Sequence, residues 1–134
     1  MPAGNRTPIL EAFSANEFRY VHLIGGGGKT TLMFALAHAL ADTGATVLTT
    51  TTTKIYEPEP AESDCVVFES DAACLVESLG AEFAVRRHVT AAAGPDATGR
   101  KLEGLDVAVL DTVVNSRVAD HVLVEADGAA GLPS

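Results

Sequence analysis

The chain has 134 residues, 47% hydrophobic and 20% charged, the balance of one globular domain rather than of a disordered or fibrous chain. Eighteen Asp and Glu against nine Lys and Arg leave a net charge of −9, which argues against sequence-independent binding to nucleic acid or anionic membrane, since both need a basic field. No apolar run approaches the roughly 18 residues of a membrane span, and residues 1–19 carry Glu11 and Glu17 without a hydrophobic segment of the secretory type, so the expected setting is cytoplasmic.

Short apolar runs alternate with helical stretches. Residues 20–24 form an apolar run that ends at four glycines and reads as a buried strand. Residues 29–41 read as a helix, with Leu32, Leu36 and Leu40 at i, i+4 and i+8, stopped by Asp42-Thr43-Gly44. Residues 45–50 are a second strand. Residues 55–63, with Pro58 and Pro60, read as a loop. A third strand spans 65–68. A short helix follows over 71–79, with Ser70 as its cap and Gly80 as its end. The pattern then gives a strand over 83–89, a loop over 90–101, a helix over 105–117 and a last buried strand at Val122-Leu123-Val124. Cys65 and Cys74 have no metal or disulfide spacing and read as reduced, buried thiols.

Alternating strands and helices predict a single α/β domain, a mostly parallel sheet flanked by helices in three layers. Ligands in such sheets bind at the carboxyl ends of the strands. Three segments fall there.

The first is Gly25-Gly26-Gly27-Gly28-Lys29-Thr30-Thr31, between a strand and a helix. Glycines let backbone N–H groups turn inward around a phosphate, and the helix N-terminus aims its dipole at the same anion. Lys29 would reach the β- and γ-phosphates and Thr30 would hold Mg²⁺. A full Walker A loop needs glycine at position 23, where Leu23 stands. The match is to the shorter GxxGKT loop of Mur-ligase-like ATP-binding enzymes. A dinucleotide fingerprint fails, because Thr30 and Thr31 occupy the positions for its last glycine.

The second segment is Val124-Glu125-Ala126-Asp127-Gly128. A buried strand that delivers an acid at its carboxyl end is a Walker B arrangement. Glu125 and Asp127 are both candidates for the metal, and spacing does not choose between them. The third is the run Thr49 to Thr53 with Lys54. Its strand is expected beside the first one, so Lys54 could face a γ-phosphate or an acceptor. Threonine is also a good strand former, and alternate side chains must point away. Arg86-Arg87 reads as a solvated edge rather than an anion clamp. The four histidines show no metal spacing. Lys101-Leu102-Glu103-Gly104 follows a Gly- and Pro-containing loop and could reach into the site, but by its residues alone reads as a helix start.

Taken in order, GGGGKTT, VLTTTTTK with Pro58, KLEG and VEADG occur together. The chain from about Tyr20 onward resembles the YqeC family of selenium cofactor biosynthesis proteins. That resemblance implies a P-loop NTPase-like fold and an accessory role in maturing a selenium-dependent molybdenum hydroxylase or its cofactor. It also implies further strands past the VEADG segment, so a C-terminally truncated chain is expected. The combined expectation is a Mg²⁺-dependent ATP-binding (or other NTP-binding) protein. Gly25 to Thr31 would hold phosphate, Thr30 with Glu125 or Asp127 would hold the metal, and Lys54 and Asp127 would act in catalysis. The expected partners are a nucleotide and a molybdenum hydroxylase or cofactor-maturation protein. The alternative is a small-molecule phosphoryl- or nucleotidyl-transferase with a Mur-ligase-like short loop, unconnected to selenium.

Overall fold

The computed structural model describes residues 19–24 and 28–126. Five parallel strands form the main sheet: β1 (Tyr20–Ile24), β2 (Val47–Thr51), β4 (Val66–Phe68), β5 (His88–Ala92) and β8 (His121–Ala126). Their order is β1-β8-β2-β5-β4. Three short strands, β3 (Lys54–Tyr56), β6 (Gly94–Pro95) and β7 (Lys101–Glu103), make a separate antiparallel sheet in the order β3-β7-β6. The described helices are α1 (Lys29–Asp42), α2 (Ala72–Phe83) and α3 (Val107–Ser116).

Each face of the main sheet has its own core. Met33, Leu36, Ala37 and Leu40 of α1 pack with Val47 and Leu123, and the same cluster takes in Ile55 and Leu102 of the small sheet. Leu75, Leu79 and Phe83 of α2 and Leu110 and Val113 of α3 pack on Leu48, Val89, Val122 and Val124. The alternation of Val122, Leu123 and Val124 between the two clusters is the period-2 geometry of a strand. Because both faces are covered, β2 and β8 read as near-continuous apolar or threonine runs, as buried parallel strands do. The α/β expectation holds at this level.

Several local expectations do not. β2 is not beside β1: β8 lies between them and pairs with both, Tyr20 opposite Val122 and Val47 opposite His121. The last strand, His-Val-Leu-Val-Glu-Ala, has apolar residues for both faces and so takes an interior place in the sheet. α2 continues through Gly80, because Leu75, Leu79 and Phe83 form one buried stripe. Its cap is Asp71, not Ser70: Asp71 Oδ2 accepts from the Cys74 N–H at 3.0 Å. The strand expected over 83–89 begins only at His88 and runs to Ala92. The two expected loops contribute most of β3 and all of β6 to the small sheet, and its third strand, β7, is Lys101–Glu103, which is a strand rather than a helix start. Cys65 is half-buried but Cys74 is exposed, one position off the buried stripe of α2.

Candidate functional site

The carboxyl ends of β8 and β2 and the start of α1 meet at one place. Gly25, Gly26 and Gly27 lie outside the described residues, as does Asp127. Gly28 is described. It caps α1 with φ 89°, ψ −7°, a left-handed conformation that costs a side-chain-bearing residue about 1 kcal/mol or more. Its carbonyl accepts the first α1 bond, from Leu32 N–H at 3.0 Å.

Lys29 and Thr30 open α1 and reach across to β8. Lys29 Nζ donates to the Ala126 carbonyl at 2.7 Å. Thr30 Oγ1 donates to Glu125 Oε2 at 2.7 Å. The pair is brought together by topology: β8 sits next to β1, so the residue ending β8 faces the helix that follows β1. Glu125 is 5% exposed. Its Oε1 is buried and has no hydrogen-bond partner among the described residues. Thr31 is exposed on the first turn of α1 and does not line the cleft.

The threonine run divides differently from a simple alternation. Thr49, Thr50 and Thr51 are all fully buried. Thr49 Oγ1 bonds Thr90 Oγ1 at 2.7 Å and His88 Nε2 at 2.9 Å, and Thr90 Oγ1 donates to Ser63 Oγ at 2.7 Å. Thr50 Oγ1 donates to the Ala91 carbonyl at 2.7 Å, and Thr51 Oγ1 to the Glu125 carbonyl at 2.9 Å. These hydroxyls tie β2 to its neighbours, and none is left free for a ligand. Thr52, Thr53 and Lys54 instead leave the sheet and line the cleft.

That cleft has a volume of about 590 Å³ and is walled by Lys29 and Glu125 on one side and Thr52, Thr53, Lys54, Lys101 and Glu103 on the other. Lys54 Nζ lies 3.5 Å from Asp96 Oδ2 and 4.0 Å from Glu103 Oε2, and its side chain is 48% exposed. All three lysines of a chain carrying −9 charge thus converge on one opening. The segment Lys101–Gly104 owes its position to Gly104. A Cβ there would stand 2.5 to 2.7 Å from backbone atoms of Thr51, Thr52 and Thr53. Only glycine lets the two backbone segments approach so closely, and the contact is fastened by Gly104 N–H to Thr53 O at 2.6 Å and Leu105 N–H to Thr51 O at 2.9 Å.

Asp96 is the positioning residue that sequence reasoning missed. Its Oδ1 accepts from Thr98 N–H and Gly99 N–H at 3.0 Å each and from Thr98 Oγ1 at 2.6 Å. The Thr98 hydroxyl above all, helped by the Lys101 and Thr98 backbone amides and the Lys54 ammonium, holds this carboxyl down at about 2 against the opposing effect of desolvation. Asp-Ala-Thr-Gly is a turn signature that could have announced it. Elsewhere, Arg86 is paired with Glu82 at 2.9 Å and with Asp64 at 3.8 Å, so it is occupied by carboxylates. No group of three or more His, Cys, Asp or Glu among the described residues could hold a metal ion. None of the described helices is long and apolar enough to cross a membrane.

Fold and site define a parallel α/β protein whose lysines gather over a buried carboxylate at the strand ends. The chain belongs to the YqeC protein family, whose pattern matches residues 21–134. It is 35% identical over 114 residues to YqeC of Escherichia coli (strain K12), an alignment covering 84% of this chain and 42% of that protein. The chain therefore spans less than half the length of the curated relative it matches. No solved structure matches it.

Proposed function

We propose that this chain binds a nucleoside triphosphate, ATP foremost, together with Mg²⁺ in the cleft between α1 and the ends of β8 and β2. One observation carries the reading: a hydroxyl and a buried carboxylate, Thr30 and Glu125, stand 2.7 Å apart at the mouth of α1, with Glu125 Oε1 lacking a described partner. A buried carboxylate oxygen without a partner is costly, by several kcal/mol in the worst case. Hard oxygen donors of this kind suit Mg²⁺, which also keeps several waters and so does not need three protein acids. Thr30 and Glu125 would hold the ion, with Asp127 as the other candidate acid, and the bound ion would neutralise charge between the β- and γ-phosphates.

The chain's own groups do the rest. Gly25, Gly26, Gly27 and Gly28 precede α1 in the sequence, and their amides would serve an anion at its N-terminus, where negative charge is favoured. Lys29 exchanges the Ala126 carbonyl for phosphate oxygens, a stronger charge-assisted bond. Lys54 faces the same opening from the far wall and is suited to charge that develops during transfer. The role we propose for such a site is the one the sequence resemblance implies, maturation of a selenium-dependent molybdenum hydroxylase or its cofactor, with the nucleotide acting as switch or reactant.

A second reading is a small-molecule phosphoryl- or nucleotidyl-transferase. It is favoured by the two lysines, Lys54 and Lys101, across the cleft from Lys29. A thermal-shift panel of ATP, GTP, CTP and NAD, each with and without Mg²⁺, tests the shared core of both. Stabilisation by a triphosphate that grows with Mg²⁺ is the expected result, and a flat panel refutes it. Multiple turnover with a small acceptor alone selects the transferase. Turnover that needs a partner protein selects the accessory role.

A further inference from the structure

Beside the main cleft is a second one of about 310 Å³, lined by Lys54, Tyr56, Asp96, Thr98, Arg100 and Lys101. The small antiparallel sheet builds it. Lys54 and Tyr56 are on β3, and Lys101 stands opposite Tyr56 on β7. Lys54 and Lys101 line both clefts, so the two openings share a wall.

Three features of the second cleft point to a ligand. It holds three cations against a single acid. That acid, Asp96, is already spent: Oδ1 takes the turn amides and the Thr98 hydroxyl, and Oδ2 faces Lys54. Arg100 and Lys101 have no ion-pair partner among the described residues, in a chain where acids outnumber bases two to one. Finally, Tyr56 is 67% exposed, the ring of a large side chain held out at a cleft wall. Lys101 Nζ lies 4.7 Å from the centre of that ring. An ammonium over an aromatic face is worth about 0.5–1 kcal/mol at an exposed site and fixes where the charge stands.

We propose that this second cleft binds a small molecule that joins a planar ring to an anionic group, carboxylate or phosphate. The ring stacks at Tyr56, and the anion is taken by Arg100 and Lys101. Arg presents a planar fork of donors that suits either anion, while Lys101 adds a point charge. Because Lys54 and Lys101 also face the main cleft, a ligand held here has its anionic end turned toward the proposed nucleotide. Its role as acceptor rests on the nucleotide reading; its binding does not.

The test is a ¹⁵N NMR titration of the full chain with phenyl phosphate, benzoate and benzyl alcohol, with MgATP titrated separately. Phenyl phosphate or benzoate is expected to shift the amides of residues 54–56 and 98–101 with a dissociation constant of about 1 mM, the scale for a fragment of this size. Whichever binds more tightly identifies the anion. Benzyl alcohol, lacking charge, should not bind. Tyr56→Leu and Arg100→Gln should each weaken binding about 5-fold or more while leaving MgATP affinity within twofold. Both positions are exposed, so neither variant should disturb folding. The proposal is overturned if neither anion binds. It also fails if both variants bind as the parent does, or if the shifts centre on Lys29 and Glu125 and vanish with MgATP. Binding of phenyl phosphate without any binding of MgATP supports the second cleft and removes the nucleotide reading instead.

Discussion

Glu125 is held by a structure that gives it less than it can accept. One oxygen takes the Thr30 hydroxyl and the other has no described partner. Glu125→Gln keeps the shape and lets the amide oxygen accept from Thr30, but removes the carboxylate. We expect apo stability unchanged or raised, because a buried carboxylate is costly to keep, and the gain in nucleotide affinity from Mg²⁺ reduced by about 10-fold. Denaturation midpoints and calorimetry with and without Mg²⁺ read the two effects. A full Mg²⁺ effect in this variant would move the metal to Asp127 or remove it from the site. Lys29 is not the solvent-facing side chain that its place in a glycine loop suggests. It donates to the Ala126 carbonyl and so ties α1 to the end of β8. Truncation to Ala should therefore cost about 1 kcal/mol of stability, which Lys29→Met, keeping the stem, would isolate from loss of charge.

The element scale is where the sequence was least legible. The glycine loop, the α1 helix and the β8 strand stood out because phosphate-type loops and Val-rich strands have strong signatures. The small sheet did not, since β3, β6 and β7 are two or three residues long and are fixed by tertiary contacts rather than by periodicity. Residues 101–104 fit a helix start as well as a strand until Gly104 is seen against the backbone of Thr51, Thr52 and Thr53. That contact makes a sharp prediction. Gly104→Ala forces a Cβ into backbone atoms 2.5 to 2.7 Å away, an overpacking cost of about 2 to 3 kcal/mol. It should also shift Thr52 and Thr53, and so weaken ligand binding in the cleft. A urea midpoint equal to the parent's would show that the backbone yields freely there. The threonine run was legible as a strand but not as a site. Valine at Thr49, Thr50 or Thr51 deletes a buried hydrogen bond between strands, so each substitution should cost about 1 kcal/mol.

Across the whole molecule, strand order decided more than strand content. Insertion of β8 between β1 and β2 puts Glu125 opposite Leu23 and Thr51, beside the glycine-loop helix. A sequence alone lists those strands without saying which are neighbours. His88 gives the fold a pH response. Burial pushes the His88 imidazole down to about 4, with nearby His38 adding to the shift and Asp64 opposing it. The folded chain therefore stays neutral there while the unfolded chain gains a proton near 6.5. Stability from this group is full above about pH 6.5 and falls as pH drops toward 4, by about 1 to 2 kcal/mol between pH 7 and 5. Urea midpoints at those two pH values should separate in the parent and converge in His88→Gln. Phosphate and metal are expected to meet at Lys29, Thr30 and Glu125. Isothermal titration of ATP into the full chain, with Mg²⁺ and with EDTA, compared with Lys29→Met, tests that meeting most directly. The expected result is one site per chain, tightened about 10-fold or more by Mg²⁺ and lost in the Lys29 variant. Heat of binding that is the same with EDTA and unchanged in Lys29→Met would contradict it.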